Sequence, residues 1–135
     1  MSRMIFVNLP VRDLPLSRAF FGRLGYTFNE QFSDHTAACM VISSEIYAML
    51  LTHDKFKGFT PKSIADANTS TEVLLALSCD SRAEVDKLVD AALAAGGTVA
   101  RPPADHGFMY VRTFNDLDGH IWEMLWMDPK AAGGQ

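Results

Sequence analysis

A carboxylate within an apolar run near the end of the chain is the first residue with chemical potential. Glu123 lies in residues 120–126, whose aromatic and branched side chains predict a β-strand. A charge in the middle of such a strand is costly to bury unless it has a partner or a function. Glu123 is therefore a candidate metal ligand or general base.

An acidic turn precedes this strand. Asp116 and Asp118 can fold their side chains onto N–H groups of the turn, and Gly119 can adopt a positive φ. We therefore predict a tight turn that runs directly into the strand carrying Glu123.

The elements that would position this carboxylate occur twice along the chain. In the first half, Asp13 is a good helix N-cap, and Gly25 ends the helix as a left-handed cap. Four segments around this helix predict extended structure: residues 4–9, 26–32, 36–42 and 46–52. The first half therefore reads β-α-β-β-β.

The second half repeats the pattern. Ser81 and Glu84 form a capping box at the start of a helix that ends at Gly96. Four further segments predict strands: residues 72–79, 98–101, 108–114 and 120–127. A repeat of about half the chain length predicts an α+β fold of two tandem βαβββ modules. We expect a curved mixed sheet around a central cleft, with the helices on the outside.

The repeat also divides the chain. All 135 residues fit a single domain, in which the predicted parts are a first module (1–52), a linker (53–71), a second module (72–128) and a flexible tail (129–135). Thr60 followed by Pro61 predicts a short helix over residues 61–67 of the linker. The linker is either a plain connector or a lid over the cleft.

Composition narrows the classes of function. The formal net charge is −4 and there is no basic block, which argues against partners such as nucleic acid or an anionic membrane surface. The longest apolar runs have the length of strands, so we expect no membrane-spanning segment. No signal peptide pattern is visible, and we expect a cytoplasmic enzyme or binding protein.

Two motifs resemble a known family. The opening motif consists of Leu9-Pro10-Val11-Arg12-Asp13-Leu14, Ser17 and Phe20-Phe21. The segment 116–123 is similar to the signature Asp-Pro-Asp-Gly-x-x-x-Glu. On the duplicated layout, these motifs resemble the vicinal oxygen chelate superfamily, which includes glyoxalase I, bleomycin-resistance and fosfomycin-resistance proteins and extradiol dioxygenases.

The resemblance implies four inward positions that hold one divalent ion in metal-dependent members, such as Ni, Zn, Fe or Mn. The matching positions in this chain are Phe6, Met49, Leu74 and Glu123. Since the first three have apolar side chains, we expect the usual metal site to be absent and no cofactor to be bound. The resemblance also implies a homodimer.

Strand alternation extends these positions to neighbours on the cleft face, whereas His53 and His106 border the cleft and Tyr110 lies on a strand that could meet an aromatic ligand. The predicted ligand-binding residues are Phe6, Asn8, Tyr47, Met49, Leu51, His53, Glu72, Leu74, His106, Tyr110 and Leu125. A mostly apolar set with a few polar points is typical of a site for a small molecule.

Two functions follow from this pocket. The first is a metal-independent protein of the bleomycin-resistance kind, which binds a small molecule in the inter-module cleft. The second is a glyoxalase-like lyase or isomerase, of the lactoylglutathione lyase type, or a dioxygenase relative. Such an enzyme would use Glu123 as a base or a relocated metal site, for which the candidate ligands are His53, Glu72, His106 and Glu123.

The protonation state of Glu123 depends on the side chains around it. Desolvation would favour its protonated form unless Arg112 or a histidine pairs with it. A purely structural role, with a hydrogen bond to Asn8 or Tyr110, is the alternative to a catalytic one.

Overall fold

The structure is a computed structural model that describes residues 2–130. The chain divides between Ala65 and Asp66 into two compact units, here called unit 1 and unit 2. Each unit has one helix of ten or more residues and a four-stranded mixed sheet, which confirms the predicted α+β fold of two βαβββ modules. The cleft between the modules stays a prediction. Most of the predicted tail, residues 131–135, lies outside the described residues.

Unit 1 follows the predicted order of elements. Its helices and strands are β1 (Ile5–Val11), α1 (Leu14–Arg23), β2 (Thr27–Asn29), β3 (Ala37–Val41), β4 (Ile46–Thr52) and α2 (His53–Lys57). The strand order is β1-β4-β3-β2, in which β1 and β4 are parallel and the other neighbours antiparallel. The Asp13 side chain accepts a hydrogen bond from the N–H of Leu16 at 3.0 Å, and Gly25 has φ 102°, so both predicted caps of α1 are confirmed.

The helix α1 packs against one face of the unit 1 sheet. Leu9, Met40 and Leu50 alternate onto one face and are no more than 2% exposed. Arg18 of α1 lies 4.7 Å from the ring centroid of Phe28, which is paired with Met40. The helix α1 therefore covers this face, and the other is called the face opposite α1.

Unit 2 repeats the arrangement. Its elements are β5 (Leu74–Ser78), α3 (Arg82–Ala94), β6 (Ala104–Asp105), β7 (Met109–Asn115) and β8 (Ile121–Met127). The strand order is β5-β8-β7-β6, with β5 parallel to β8. The Ser81 cap of the predicted capping box is confirmed, since Ser81 Oγ accepts the Glu84 N–H at 3.1 Å. The Glu84 carboxylate accepts the N–H of Asp80, one residue before the N-cap, at 2.7 Å.

The core of unit 2 lies between α3 and one face of the sheet. Val85 and Val89 of α3 are at most 1% exposed, as are Phe114, Trp122 and Met124 of the strands. Burying such large apolar side chains contributes about 1.5–3 kcal/mol each to stability. The other side of this sheet is called the face opposite α3.

One strand of unit 2 was predicted in the wrong place. Residues 98–101 form no strand, and only Thr98 makes an isolated bridge, to Asn115. The strand β6 lies at Ala104–Asp105, within the predicted loop. The N–H of Arg101 is bonded to a side-chain atom, Oγ1 of Thr113, and Pro102 and Pro103 have no N–H, so none of these three residues donates to a strand ladder.

Two details of unit 1 also differ from the prediction. Extended structure after α1 ends at Asn29, whose side chain accepts the Gln31 N–H and starts a 3-10 helix over Glu30–Phe32. The linker helix is α2, capped by Thr52, whereas residues 61–67 are not helical. Across residues 2–130, no helix combines the length and apolar character needed to cross a bilayer.

Candidate functional site

The face opposite α1 carries five of the predicted ligand-binding residues. The parallel register of β1 and β4 aligns Phe6 with Tyr47 and Asn8 with Met49, and Leu51 follows Met49 on the same face. The rings of Phe6 and Tyr47 are stacked, with centroids 4.9 Å apart and planes 10° apart. Because the Phe6 residue is 46% exposed, this pair forms an accessible aromatic surface.

Polar groups border this aromatic surface. The Asn8 side chain is exposed, and its Nδ2 donates to the Phe6 carbonyl at 3.3 Å. The Tyr47 hydroxyl donates to the Ser44 carbonyl at 3.0 Å. His53 follows β4 directly as the first residue of α2 and is half-buried. Unit 1 therefore offers an apolar face with hydrogen-bonding groups at its margin.

In unit 2, the face opposite α3 carries Glu123 together with Leu74 and Leu125. The Glu123 carboxylate is paired, because Arg101 Nη1 donates to its Oε2 at 2.7 Å. The Glu123 side chain is 17% exposed and the Arg101 side chain is 46% exposed. The candidate base or metal ligand is thus a partly buried member of an ion pair.

Thr113 fixes the backbone that carries Arg101. It lies directly opposite Glu123 in the ladder of β7 and β8 and is 2% exposed. Its Oγ1 accepts the Arg101 N–H at 3.0 Å, and its hydroxyl lies 3.2 Å from the Arg101 carbonyl, to which it donates. The segment before Pro102 is therefore held against the sheet by a side chain and not by a strand ladder.

The partner of Glu123 was not predicted. Arg112 was the arginine suggested by the sequence, but it lies on the opposite side of the sheet and donates to Asp86 and Asp90 of α3. Arg101 stood in a segment predicted as a strand, and no local pattern relates it to a residue 22 positions away. The tertiary contact of Arg101 with Thr113, which lies opposite Glu123, brings the two together.

Tyr110, a predicted ligand-binding residue, does not share a face with Glu123. It lies on the α3 side, where its hydroxyl donates to Asp86 Oδ1 at 2.6 Å. The same bond raises the pKa of Tyr110 and, with a second bond from Arg112, lowers the pKa of Asp86. Tyr110 therefore stabilises the contact between α3 and the sheet, away from Glu123.

Two other predicted site residues, Glu72 and His106, form hydrogen-bonding contacts within unit 2. Glu72 precedes β5, and its Oε1 lies 3.0 Å from Nδ1 of His120, which is 2% exposed. His106 is exposed between β6 and β7, and its N–H donates to the Met109 carbonyl at 2.8 Å. Within the described part of either unit, no group of three His, Cys, Asp or Glu side chains is placed to hold a metal.

The acidic turn is organised by Asp116. Its Oδ1 accepts the N–H groups of Asp118 and His120 at 2.9 and 3.1 Å, and its Oδ2 accepts the indole N–H of Trp122 at 3.0 Å. Burial raises the pKa of Asp116, against the opposing effect of these donors. Gly119 has φ 90°, as predicted. The motif therefore locks the start of β8, and so the position of Glu123.

Comparisons with known proteins agree with this architecture. The model of the bleomycin resistance protein-like N-terminal family matches residues 3–43. The chain is 30% identical to hypothetical protein SA1046 from S. aureus, with a TM-score of 0.77 and coverage of 93% of this chain and 95% of that one. No protein with a curated functional description matches the sequence.

Two further structures share the fold at lower identity. A glyoxalase/bleomycin resistance protein/dioxygenase family enzyme from Burkholderia phytofirmans PsJN is 20% identical, with a TM-score of 0.75 and coverage of 93% and 99%. A glyoxalase-related enzyme from Fulvimarina pelagi is 21% identical, with a TM-score of 0.77 and coverage of 93% and 88%.

The duplicated βαβββ architecture defines a protein of the glyoxalase and bleomycin-resistance class. The sequence motifs, the N-terminal family match and the related structures agree on this class. The chain belongs to the vicinal oxygen chelate superfamily.

Proposed function

We propose that the protein binds a small, partly aromatic molecule in the inter-module cleft that the resemblance implies, without the divalent metal of metal-dependent relatives. The observation that carries this proposal is the ion pair of Arg101 and Glu123. Glu123 matches the last metal-ligand position of the family, and a guanidinium compensates its charge here. A carboxylate engaged in this way is a poor starting point for a metal site.

The other matching positions support the same view. Phe6 and Leu74 have no donor atom in their side chains, and the thioether of Met49 suits soft metals and not Ni, Zn, Fe or Mn. The side chains present at the four positions therefore do not fit the divalent ion that the resemblance implies.

The exposed aromatic pair supports an aromatic ligand. Phe6 and Tyr47 present a stacked, accessible surface on the face opposite α1. Aromatic rings add about 0.5–1.5 kcal/mol beyond area burial when they pack in offset or edge-to-face geometry. A third ring from a ligand would extend this arrangement, with Asn8 as a polar contact beside it.

Methyl NMR in the presence of a metal chelator tests the proposal. Aromatic fragments should shift the methyl resonances of Met49, Leu74 and Leu125, while Met40, fully buried under α1, serves as an internal control. The substitution Met49→Leu removes the Met49 methyl resonance from the spectrum and thereby assigns it. If no fragment shifts the methyl resonances of these three residues, or if shifts appear only after metal is added, the proposal is wrong.

The same ion pair favours a second candidate, a glyoxalase-like enzyme. Glu123 as a base would remove a proton from a carbon acid, and Arg101 would stabilise the oxyanion that develops. Deuterium exchange into dihydroxyacetone in heavy water tests this role. Exchange faster than in buffer that is lost in Glu123→Gln would establish catalysis, whereas exchange at the buffer rate would leave binding as the function.

The expected homodimer and cytoplasmic location rest on resemblance and on sequence, respectively. Light scattering coupled to gel filtration tests the dimer directly. A mass of one chain at micromolar concentration would contradict it.

A further inference from the structure

The ion pair on the face opposite α3 also indicates what kind of ligand it recognises. We infer that Arg101 and Glu123 together bind a neutral head group in which a hydrogen-bond acceptor adjoins a hydrogen-bond donor, as in a carboxamide or a lactam. This inference rests on the proposed function, because it names the ligand class for that same site.

The pair has unused hydrogen-bonding capacity of both kinds. Arginine carries several N–H donors in a fixed fork, and a carboxylate accepts through both oxygens. Among residues 2–130, only the bond from Nη1 of Arg101 to Oε2 of Glu123 uses these groups. Donors and an acceptor are therefore presented side by side, and the guanidinium is held in place by the carboxylate itself.

Charge decides between a neutral and an anionic head group. The pair is neutral as a whole, and Glu123 is only 17% exposed. An anion bound to Arg101 would leave an uncompensated negative charge beside a partly desolvated carboxylate, which is unfavourable. A cation bound to Glu123 would meet the guanidinium in the same way. A neutral group that donates to Glu123 and accepts from Arg101 satisfies both.

The surface next to the pair has room for an apolar body. Ala76 lies directly beside Glu123 in the β5–β8 ladder, and its side chain is a single methyl group. Leu74, two residues earlier on the same face, is 54% exposed. A flat ring could therefore lie over Ala76 and Leu74 while its head group reaches the ion pair.

The anchor is also held rigidly. Thr113 holds both the N–H and the carbonyl of Arg101, and Thr113 itself is buried in the middle of β7. Recognition by a small number of hydrogen bonds requires donors whose positions are fixed before the ligand arrives. The backbone of Arg101 meets this requirement although it lies outside the strands, and its guanidinium is oriented by the bond to Glu123.

Titration with three ring compounds that differ only in the head group tests the inference. The probes are benzamide, benzoate and toluene, followed through the resonances of Leu74, Ala76 and Arg101 Nε–H. Benzamide should bind at least about tenfold more tightly than benzoate, and at least about tenfold less tightly to Arg101→Met and Glu123→Gln than to the wild type. Arg18→Met, which removes the exposed pair with Glu30, is the matched control and should leave binding unchanged.

Each alternative outcome has a separate meaning. Tighter binding of benzoate than of benzamide would overturn the inference in favour of an anion site. Equal binding of all three probes, unaffected by the substitutions, would overturn polar recognition but leave the proposed function intact. If no probe shifts these resonances, the inference also fails, while the shifts at Met49 decide the proposed function independently. Should Arg101→Met fail to fold, Arg101→Lys keeps the charge without the fork and should lose part of the affinity.

Discussion

Arg101 Nη1 lies 2.7 Å from Oε2 of Glu123, so the carboxylate that matches the family's metal ligand forms an ion pair with a guanidinium. The contact joins a segment without a ladder to the centre of β8 and depends on Thr113 for its geometry. Glu123 is therefore not a lone carboxylate among apolar side chains but half of an oriented pair that is neutral as a whole.

Thr113→Val should lower stability and weaken ligand binding together. Valine has the same shape but leaves the N–H and carbonyl of Arg101 without their partner, at a cost of about 1–3 kcal/mol in the free energy of unfolding. Urea denaturation measures this loss, and Thr27→Val at an exposed strand position should change stability by less than about 0.5 kcal/mol. Equal effects of the two substitutions would show that the Thr113 hydroxyl does not hold Arg101.

Asp116→Asn should destabilise unit 2, because an amide cannot accept all three bonds. If the amide oxygen keeps the two backbone N–H groups, its NH2 faces the indole N–H of Trp122. We expect a loss of about 1–3 kcal/mol in the free energy of unfolding, measured by urea denaturation with circular dichroism.

Asp13→Asn is the matched control for that substitution. Asp13 accepts one N–H as the N-cap of α1, and asparagine is an equally good N-cap. Stability should therefore stay nearly unchanged. A loss as large as that of Asp116→Asn would point to a general effect of removing a carboxylate and not to the bonds of the turn.

Gly119→Ala should be among the most damaging single-methyl changes. Gly119 has φ 90°, and a Cβ there would lie 2.7 Å from Asn68 Oδ1 and 2.8 Å from the carbonyl of Ala67. The strain and the clash with backbone together should cost at least about 2 kcal/mol. Thermal and urea denaturation measure the change.

Two other glycines separate the causes of that loss. Gly25 has φ 102° but open space around it, so Gly25→Ala should show strain alone, about 1–2 kcal/mol. Gly22 lies within α1 with nothing near its Cβ position, so Gly22→Ala should stabilise by up to about 1 kcal/mol. If Gly119→Ala were no worse than Gly25→Ala, the close approach of residues 67–68 would be irrelevant.

The hydrogen bonds that join Tyr110 and Arg112 to α3 should make the free energy of unfolding fall at acidic pH. Hydrogen bonds from Tyr110 and Arg112 lower the pKa of Asp86 below its ordinary value of 3.8. A folded pKa below the unfolded one means that the contribution is complete above the unfolded pKa and is lost as pH falls through the folded one. Asp86→Asn should therefore flatten the fall in stability as the pH drops below the ordinary carboxyl pKa of 3.8, and Tyr110→Phe should do so in part. An unchanged slope in both variants would contradict this.

Most of the fold follows from local sequence signals. The caps at Asp13, Gly25 and Ser81 and the positive φ of Gly119 each depend on residues within a few positions, and all are present in the structure. The errors concern β6, the linker helix and the end of the extended segment after α1. Near β6, the Arg101 N–H bonds a side chain and the two prolines have no N–H to donate, and the linker helix is capped by Thr52, whereas Thr60 was the predicted cap.

The candidate site was less accessible to sequence reasoning. Alternation correctly placed Phe6 and Tyr47 on one face, because both belong to regular strands. It was not applied to Tyr110, and the face of β7 on which Tyr110 lies depends on which residues α3 covers. It could not find Arg101, because the pairing with Glu123 is formed by a connection whose path only the tertiary structure defines.

Metal content tests the central claim most directly. The protein should be purified without chelators and analysed by mass spectrometry for Ni, Zn, Fe and Mn, with Glu123→Gln purified in parallel. We predict no stoichiometric transition metal in either protein and no thermal stabilisation when these ions are added. About one equivalent of metal per chain in the wild type, lost in Glu123→Gln, would show that Glu123 is a metal ligand and would contradict the account.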